Sequence, residues 1–332
     1  MNQDELNPNT QTAVLLTARL GSNDTELVPL TAAEFRRVRA EVHSAGLQLA
    51  DILDDSNLQR VSESASVSCD QAGALLGRGF ALAVAQEKWA AAGIWVIGDS
   101  DASYPECYST RLEDKAPPVL YGVGDPDLLQ GGGLAVVGSR RVDEHALEFT
   151  AKVGRACAKH GVQVLSGGAR GVDAAATAAC VEDEGTAVSV VSDSLARHCL
   201  SPEVRNAVMS KSLLLVSPFE PETTFLAWKA MDRNKLIYAL ADYVLVVSSD
   251  HKKGGTWAGA EENLKHGWVP LFVRAGADVP DGNTRLLEKG AIALDESVLD
   301  ECDVIEWMKQ KATENQEQTP QEPDVAQGTL PL

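Results

Sequence analysis

The sequence predicts an α/β protein: a doubly wound, mostly parallel Rossmann-like sheet preceded by a small helical domain. Three observations predict it. Short apolar, β-branched runs recur from Leu134 to Leu294 with amphipathic stretches of helix length between them. Upstream, from about Thr12 to Gly93, apolar residues recur at helical spacing. The C-terminal end is polar and acidic. This texture divides the chain into an N-terminal helical domain (1–100), a Rossmann-like domain (101–300) and a disordered tail (311–332).

In the helical region the pattern rests on Leu47, Leu49, Ile52 and Leu53, and on Phe80, Leu82, Val84 and Trp89. Leu75-Leu76-Gly77-Arg78-Gly79 reads as an interhelical turn, or as a helix–hairpin–helix turn whose amides hold a phosphate. The predicted strands are Leu134–Val137, Val162–Leu165, Ala187–Val191, Leu213–Val216, Tyr243–Val247 and Val269–Val273. Between the first two, Phe149, Val153, Ala156 and Cys157 share a helix face, while Glu148, Lys152 and Arg155 face away. Continuous apolar strands separated by helices indicate a parallel sheet covered on both faces. Ligands of such sheets sit beyond the carboxyl ends of the strands, so a functional loop should directly follow a strand.

Composition sets the outer bounds. Of 332 residues 44% are apolar but only 5% aromatic, so Val, Leu and Ala carry the packing. The opening MNQDELNPNTQ lacks the basic start and apolar run of a secretory signal, and no stretch reaches the roughly 18 apolar residues of a spanning helix. A cytoplasmic protein with no membrane association is expected. Cys69, Cys107, Cys157, Cys180, Cys199 and Cys302 are scattered, which argues for free thiols, no disulfide framework and no metal site. A formal net charge of -19 opposes general coating of a polyanion and restricts any nucleic-acid contact to a local basic patch.

Three polar loops pass the strand-end test. Gly138-Ser139-Arg140-Arg141 follows the first strand, where glycine admits a close backbone approach and arginine offers a forked donor. Ser166-Gly167-Gly168-Ala169-Arg170-Gly171-Val172-Asp173 follows the second and leads into a helix, so free amides and the helix dipole could face an anion. Lys252-Lys253-Gly254-Gly255-Thr256 follows the fifth and also opens onto a helix. Together they read as a phosphate site. A fourth constellation, Arg233-Asn234-Lys235, lies in a helical stretch whose Leu236, Ile237 and Leu240 face the core, leaving Arg233 and Asn234 free to point toward a ligand. The first loop lacks Gly-x-Gly-x-x-Gly, the second lacks a ribose-binding acid about 20 positions on, and no Walker A string occurs. No cofactor is expected.

In order along the chain, Tyr104-Pro105, Pro117-Pro118-Val119-Leu120-Tyr121-Gly122-Val123-Gly124-Asp125, Val136-Val137-Gly138-Ser139-Arg140, Ser166 to Asp173, Arg233-Asn234-Lys235-Leu236-Ile237, and Asn283 with Leu286-Leu287 and Gly290-Ala291 resemble the DprA/Smf family of DNA-processing proteins. The resemblance covers roughly residues 75 to 295 and extends to the phosphoribohydrolases related to that family. It implies single-stranded DNA binding, homodimer formation and loading of RecA recombinase. Carried over by motif, it implies that Arg140, Arg170 and Arg233 meet phosphates, with donors from Ser139, Ser166 and Gly167. The chain departs from the pattern at Thr177 (histidine in the family), at Ser217-Pro218 (Ser-Glu), and at Gly254 to Ala260, and the winged helix of some members is expected to be missing.

An enzyme reading stands beside this one. In the related phosphoribohydrolases a glycine-rich loop sets a glutamate against a nucleotide sugar, and Glu261 follows Gly254 at the matching spacing. As a general acid–base it would make the chain an N-glycosidase, or a sensor of a nucleotide-derived ligand. Against this, Trp257 and Ala258 replace the inner Gly-Thr, and catalysis is not the favoured reading. Finally, Gln327-Gly328-Thr329-Leu330-Pro331-Leu332 resembles peptides that dock on the replication sliding clamp, with Gln327, Leu330 and Leu332 as contacts.

Overall fold

The computed structural model describes residues 6–21 and 27–318. Helices α1 (Pro8–Thr17), α2 (Ala32–Ser44), α3 (Asp55–Ala65), α4 (Cys69–Leu76) and α5 (Gly79–Ala91) come first. Strand β1 (Trp95–Gly98), α6 (Glu106–Leu112) and β2 (Val119–Val123) lead into the sheet proper. There follow β3 (Leu134–Gly138), α7 (Glu144–Lys159), β4 (Val164–Ser166), α8 (Val172–Glu182), β5 (Ala187–Val190), α9 (Leu195–His198), α10 (Pro202–Met209) and β6 (Leu213–Ser217). The chain continues through α11 (Ala227–Leu240), β7 (Tyr243–Ser248), α12 (Gly254–His266), β8 (Leu271–Ala275) and α13 (Asp281–Glu288). It closes with β9 (Ile292–Asp295), α14 (Ser297–Glu301) and α15 (Val304–Gln318).

One nine-stranded sheet organises the molecule, in the order β1-β2-β6-β5-β4-β3-β7-β8-β9. From β6 to β9 every pairing is parallel; β1 with β2 and β2 with β6 are antiparallel. The six strands expected from apolar runs are all present. Val162–Leu165 moves to Val164–Ser166, and the sixth begins at Leu271 because Pro270 has no N–H for the ladder and the Val269 amide bonds to Asn263. Three strands escaped the sequence reading: β1, β2 and β9. The sheet thus starts at Trp95, inside the segment 1–100.

Helix α7 buries Phe149, Val153 and Cys157 on the face its periodicity predicts, and Asp143 caps its first turn through the Ala146 amide (2.7 Å). The N-terminal helices share their core with the sheet rather than forming a separate one. Trp89 of α5 meets the Tyr121 ring of β2 edge-on, centroids 5.2 Å apart. Arg78 turns inward: buried, it donates to the carbonyls of Leu15 and Ala18 at the end of α1. The Gly77–Gly79 turn is therefore an interhelical clasp. Leu49, Ile52, Leu82 and Trp89 are buried as expected, whereas Leu53, Phe80 and Val84 are exposed.

Against the unstructured tail expected from Lys311, α15 continues to Gln318. Met308 and Ala312 are buried against the sheet, and Lys309–Glu306 and Lys311–Glu314 pair one turn apart, so packing and local charge extend the helix. Gln327, Leu330 and Leu332 lie outside the described residues. All six cysteines are free. Among the described residues no helix is long and apolar enough to cross a membrane.

Candidate nucleic-acid interface

The sheet order locates the site. From β3 the chain winds outward through β4, β5 and β6, then returns over α11 to place β7 on the other side of β3. The carboxyl ends of β3 and β7 therefore diverge at a topological switch point, where open α/β sheets take their ligands. The three loops singled out by sequence follow β3, β4 and β7, which are neighbours, so they share this edge.

The loops interlock. A register shift between Val137 and Gly138 re-aims the end of β3, and the Ser139 amide donates to the Ser248 carbonyl of β7 (3.0 Å). The second loop passes so close that a Cβ on Gly171 would lie 2.5 Å from the Ser139 carbonyl oxygen, and its φ of +84° is one glycine tolerates. A Cβ on Gly138 would similarly strike Val172 at 2.5 Å.

Beneath the loops lies a buried ionic floor. The Asp173 carboxylate accepts from the amides of Gly167 (3.0 Å) and Ala169 (3.5 Å). Arg233, only 4% exposed, donates to the Val190 carbonyl (2.6 Å) and lies against Gly167, where a Cβ would meet its Nη1. Burial pushes the Asp173 pKa up, while Arg233 and the loop amides pull it back. Burial likewise lowers Arg233 to about 10, against the attraction of Asp173. Asn234 ties α11 to the third loop by donating to the Gly255 carbonyl (2.9 Å). Asn283 knots the far side, accepting from the Ser249 amide (2.9 Å) and donating to the carbonyls of Val247 and Arg274.

Several expected donors are thereby spoken for. Ser166 is fully buried and its hydroxyl bonds with Thr177 (3.0 Å) and Ser189 (3.3 Å). The amides of Gly167, Gly168 and Ala169 are engaged by Asp173 and by the Ser166 hydroxyl. The amides of Gly167, Gly168 and Ala169 are thus not free as expected, since Asp173 reaches back from the first turn of α8 to two of them. Arg233 does not point away from the core as expected but is buried and bonded inward; Asn234, half-buried, is bonded to the third loop.

The rim is different. Arg140, Arg141, Arg170, Lys252 and Lys253 are exposed, and among the described residues none of the five forms an ion pair. Lys252 and Gly254 adopt φ of +56° and +75°, turning the third loop before α12 begins. Thr256 is half-buried in the first turn of that helix. Glu261 binds Lys289 (3.0 Å), and this contact holds its pKa below the usual carboxylate value, so at neutral pH it is an ionised acceptor facing α13. Sequence reasoning missed the approach to α11: Phe225, Leu226, Trp228 and Met231 are all exposed on this side of the sheet, with the Arg140 guanidinium 5.0 Å from the Phe225 ring centre. The run Thr-Phe-Leu-Ala-Trp was the available signal, since in a chain so poor in aromatics it sits in the connection that follows β6.

Residues 95–305 match the family model described as DNA recombination-mediator protein A. The chain belongs to the DprA/Smf family. DNA processing protein DprA of Bacillus subtilis is 27% identical over 207 residues, 61% of this chain and 68% of that protein. Protein Smf of Escherichia coli is 30% identical over 241 residues, 70% of this chain but 62% of its own length. The X-ray structure of DprA from Streptococcus pneumoniae superposes with a TM-score of 0.66 at 19% identity, covering 90% of this chain and 99% of that one, which is a likeness of fold. DprA from Helicobacter pylori, whose structure is described for its unique single-stranded DNA binding mode, superposes with a TM-score of 0.53 at 26% identity, over 66% and 97%. Within the family pattern, Thr177 replaces the histidine, and its hydroxyl holds Ser166.

Proposed function

We propose that this member of the family binds single-stranded DNA along the carboxyl edge of its sheet, with backbone phosphates against Arg140, Arg141, Arg170, Lys252 and Lys253. The observation that carries the reading is the unpaired cationic rim at the switch point of a chain with net charge -19. Acidic bulk repels a polyanion everywhere else, which confines binding to this edge. The relative from Helicobacter pylori, described for its single-stranded DNA binding mode, supports the same ligand. The buried Asp173–Arg233 floor shapes the loops and contributes no ligand contact.

Fluorescence anisotropy of labelled single-stranded and duplex DNA at two salt concentrations tests it. Single-strand binding should weaken with salt and be lost in Arg140→Ala/Arg170→Ala; no binding at low salt would refute the reading. Resemblance to the family supports two further roles, homodimer formation and loading of a RecA-type recombinase in the cytoplasm. Light scattering that finds only monomer at working concentration would remove the first; recombinase filament assembly unaffected by the protein would remove the second. The terminal Gln327–Leu332 supports docking on the sliding clamp, which a clamp pull-down insensitive to its deletion would exclude.

A further inference from the structure

We infer that the approach to α11 is the base-binding half of the same site: a stacking platform for unpaired bases, with Phe225 and Trp228 as its rings. The inference rests on the phosphate-edge reading above. This segment leaves β6 at its carboxyl end, so it rises from the same edge as the cationic loops. Phe225 is 47% and Trp228 58% exposed, while most aromatic rings of the chain are buried. Large apolar side chains left in water beside a ligand-binding edge mark a contact surface.

Charge specifies the occupant. The Arg140 guanidinium lies 5.0 Å from the Phe225 centroid, and the Lys229 ammonium lies 4.9 Å from Phe219 and 5.8 Å from Trp228. Cations interleaved with aromatic faces match a strand whose phosphates alternate with bases. The neighbouring acids are already committed. Glu220 accepts from the Arg19 amide (2.9 Å), Glu222 holds Lys88 (2.8 Å) and the Trp89 indole (3.3 Å), and Asp232 pairs with Lys235 (2.6 Å).

These contacts also fix the root of the platform. Glu222 joins it to α5, and the Pro221 carbonyl accepts from the Ala196 amide and the Ser194 hydroxyl (both 3.0 Å). The rings therefore stand on a braced segment, and the N-terminal helices act as its support. Every base has a π face, so stacking here is tolerant of sequence, but only an unpaired strand exposes those faces. The platform thus selects single strands over duplex.

The test uses the full chain with Phe225→Ala, Trp228→Ala and Trp228→Phe, titrated into an oligothymidylate and into an abasic strand of equal length. Both rings are solvent-exposed, so the variants should fold. Each alanine variant should bind oligothymidylate about tenfold more weakly, and Trp228→Phe should retain affinity. Binding to the abasic strand and the salt slope should not change. Alanine variants that bind oligothymidylate like the wild type overturn the inference, as do variants that lose both strands equally. A change of oligomeric state with no change in affinity would assign the rings to a protein contact instead, also against it. Wild-type protein that binds neither strand would instead bring down the phosphate-edge reading, and the platform with it.

Discussion

On the rim of the strand edge, Arg140, Arg141 and Arg170 reach solvent without ion pairs; on the floor directly beneath, Arg233 is buried against Asp173 and bonded to Val190. All four guanidiniums lie at one end of one sheet, and the family resemblance gave phosphate contacts to both levels. The difference teaches that residue type near a ligand edge does not decide role. A buried guanidinium is held away from solvent, as Arg233 is with Nη1 on the Val190 carbonyl and Nε buried without a partner; an exposed, unpaired one is available to an anion. The floor sets the shape of the loops and the rim keeps its cations unpaired.

The largest effect should come from breaking the floor. Arg233→Met leaves Asp173 buried without its counter-charge and should cost about 3–5 kcal/mol in urea unfolding. Since Arg233 favours the ionised form of Asp173, removing it raises that pKa further. The folded variant then takes up a proton before the unfolded chain does as pH falls, so the loss should shrink toward acid pH. A loss independent of pH would separate Asp173 from Arg233 and break the comparison.

Next in size is Arg140→Ala/Arg170→Ala, which should leave stability within about 0.5 kcal/mol. Each single alanine variant should lower the salt slope of single-strand binding by roughly 0.7, and the double variant should abolish binding. A smaller effect follows on the far side of the floor. Asn283→Ala strands the Ser249 amide and two carbonyls and should destabilise by about 1–3 kcal/mol, with the salt slope unchanged. If that slope moved, Asn283 would have to shape the rim directly. Smallest is Glu261→Gln, which loosens a surface ion pair worth about 0–1 kcal/mol and should alter neither DNA binding nor any nucleotide turnover assayed by chromatography. Turnover in the wild type that this variant abolishes would restore the enzyme reading.

The six central strands were legible because a strand buried on both faces is apolar at nearly every position. Strands β1 and β9 are four residues long at the two edges of the sheet, and β9 alternates buried with exposed positions, so neither makes a continuous run. At the site, the Gly-Arg loops were visible because they follow those strands directly. Arg233 was misassigned although its spacing carried the answer: it lies three, four and seven residues before Leu236, Ile237 and Leu240, on the inward face of the same helix. A charge on an apolar helix face signals a buried partner, and Asp173 was that partner.

By itself, the sequence determined the class of fold, the position of α7 and its buried face, the loops that end at the ligand edge, and the family. These follow from local periodicity and from the order of short motifs, which survive without knowledge of what packs against what. Only the tertiary structure decided which donors remain free, because Asp173 meets Gly167 across a loop and Arg233 reaches Val190 from 43 residues away. It alone brought Phe225 beside Arg140. Burial and long-range pairing depend on contacts between distant segments, and no local window of sequence contains both Arg233 and Val190.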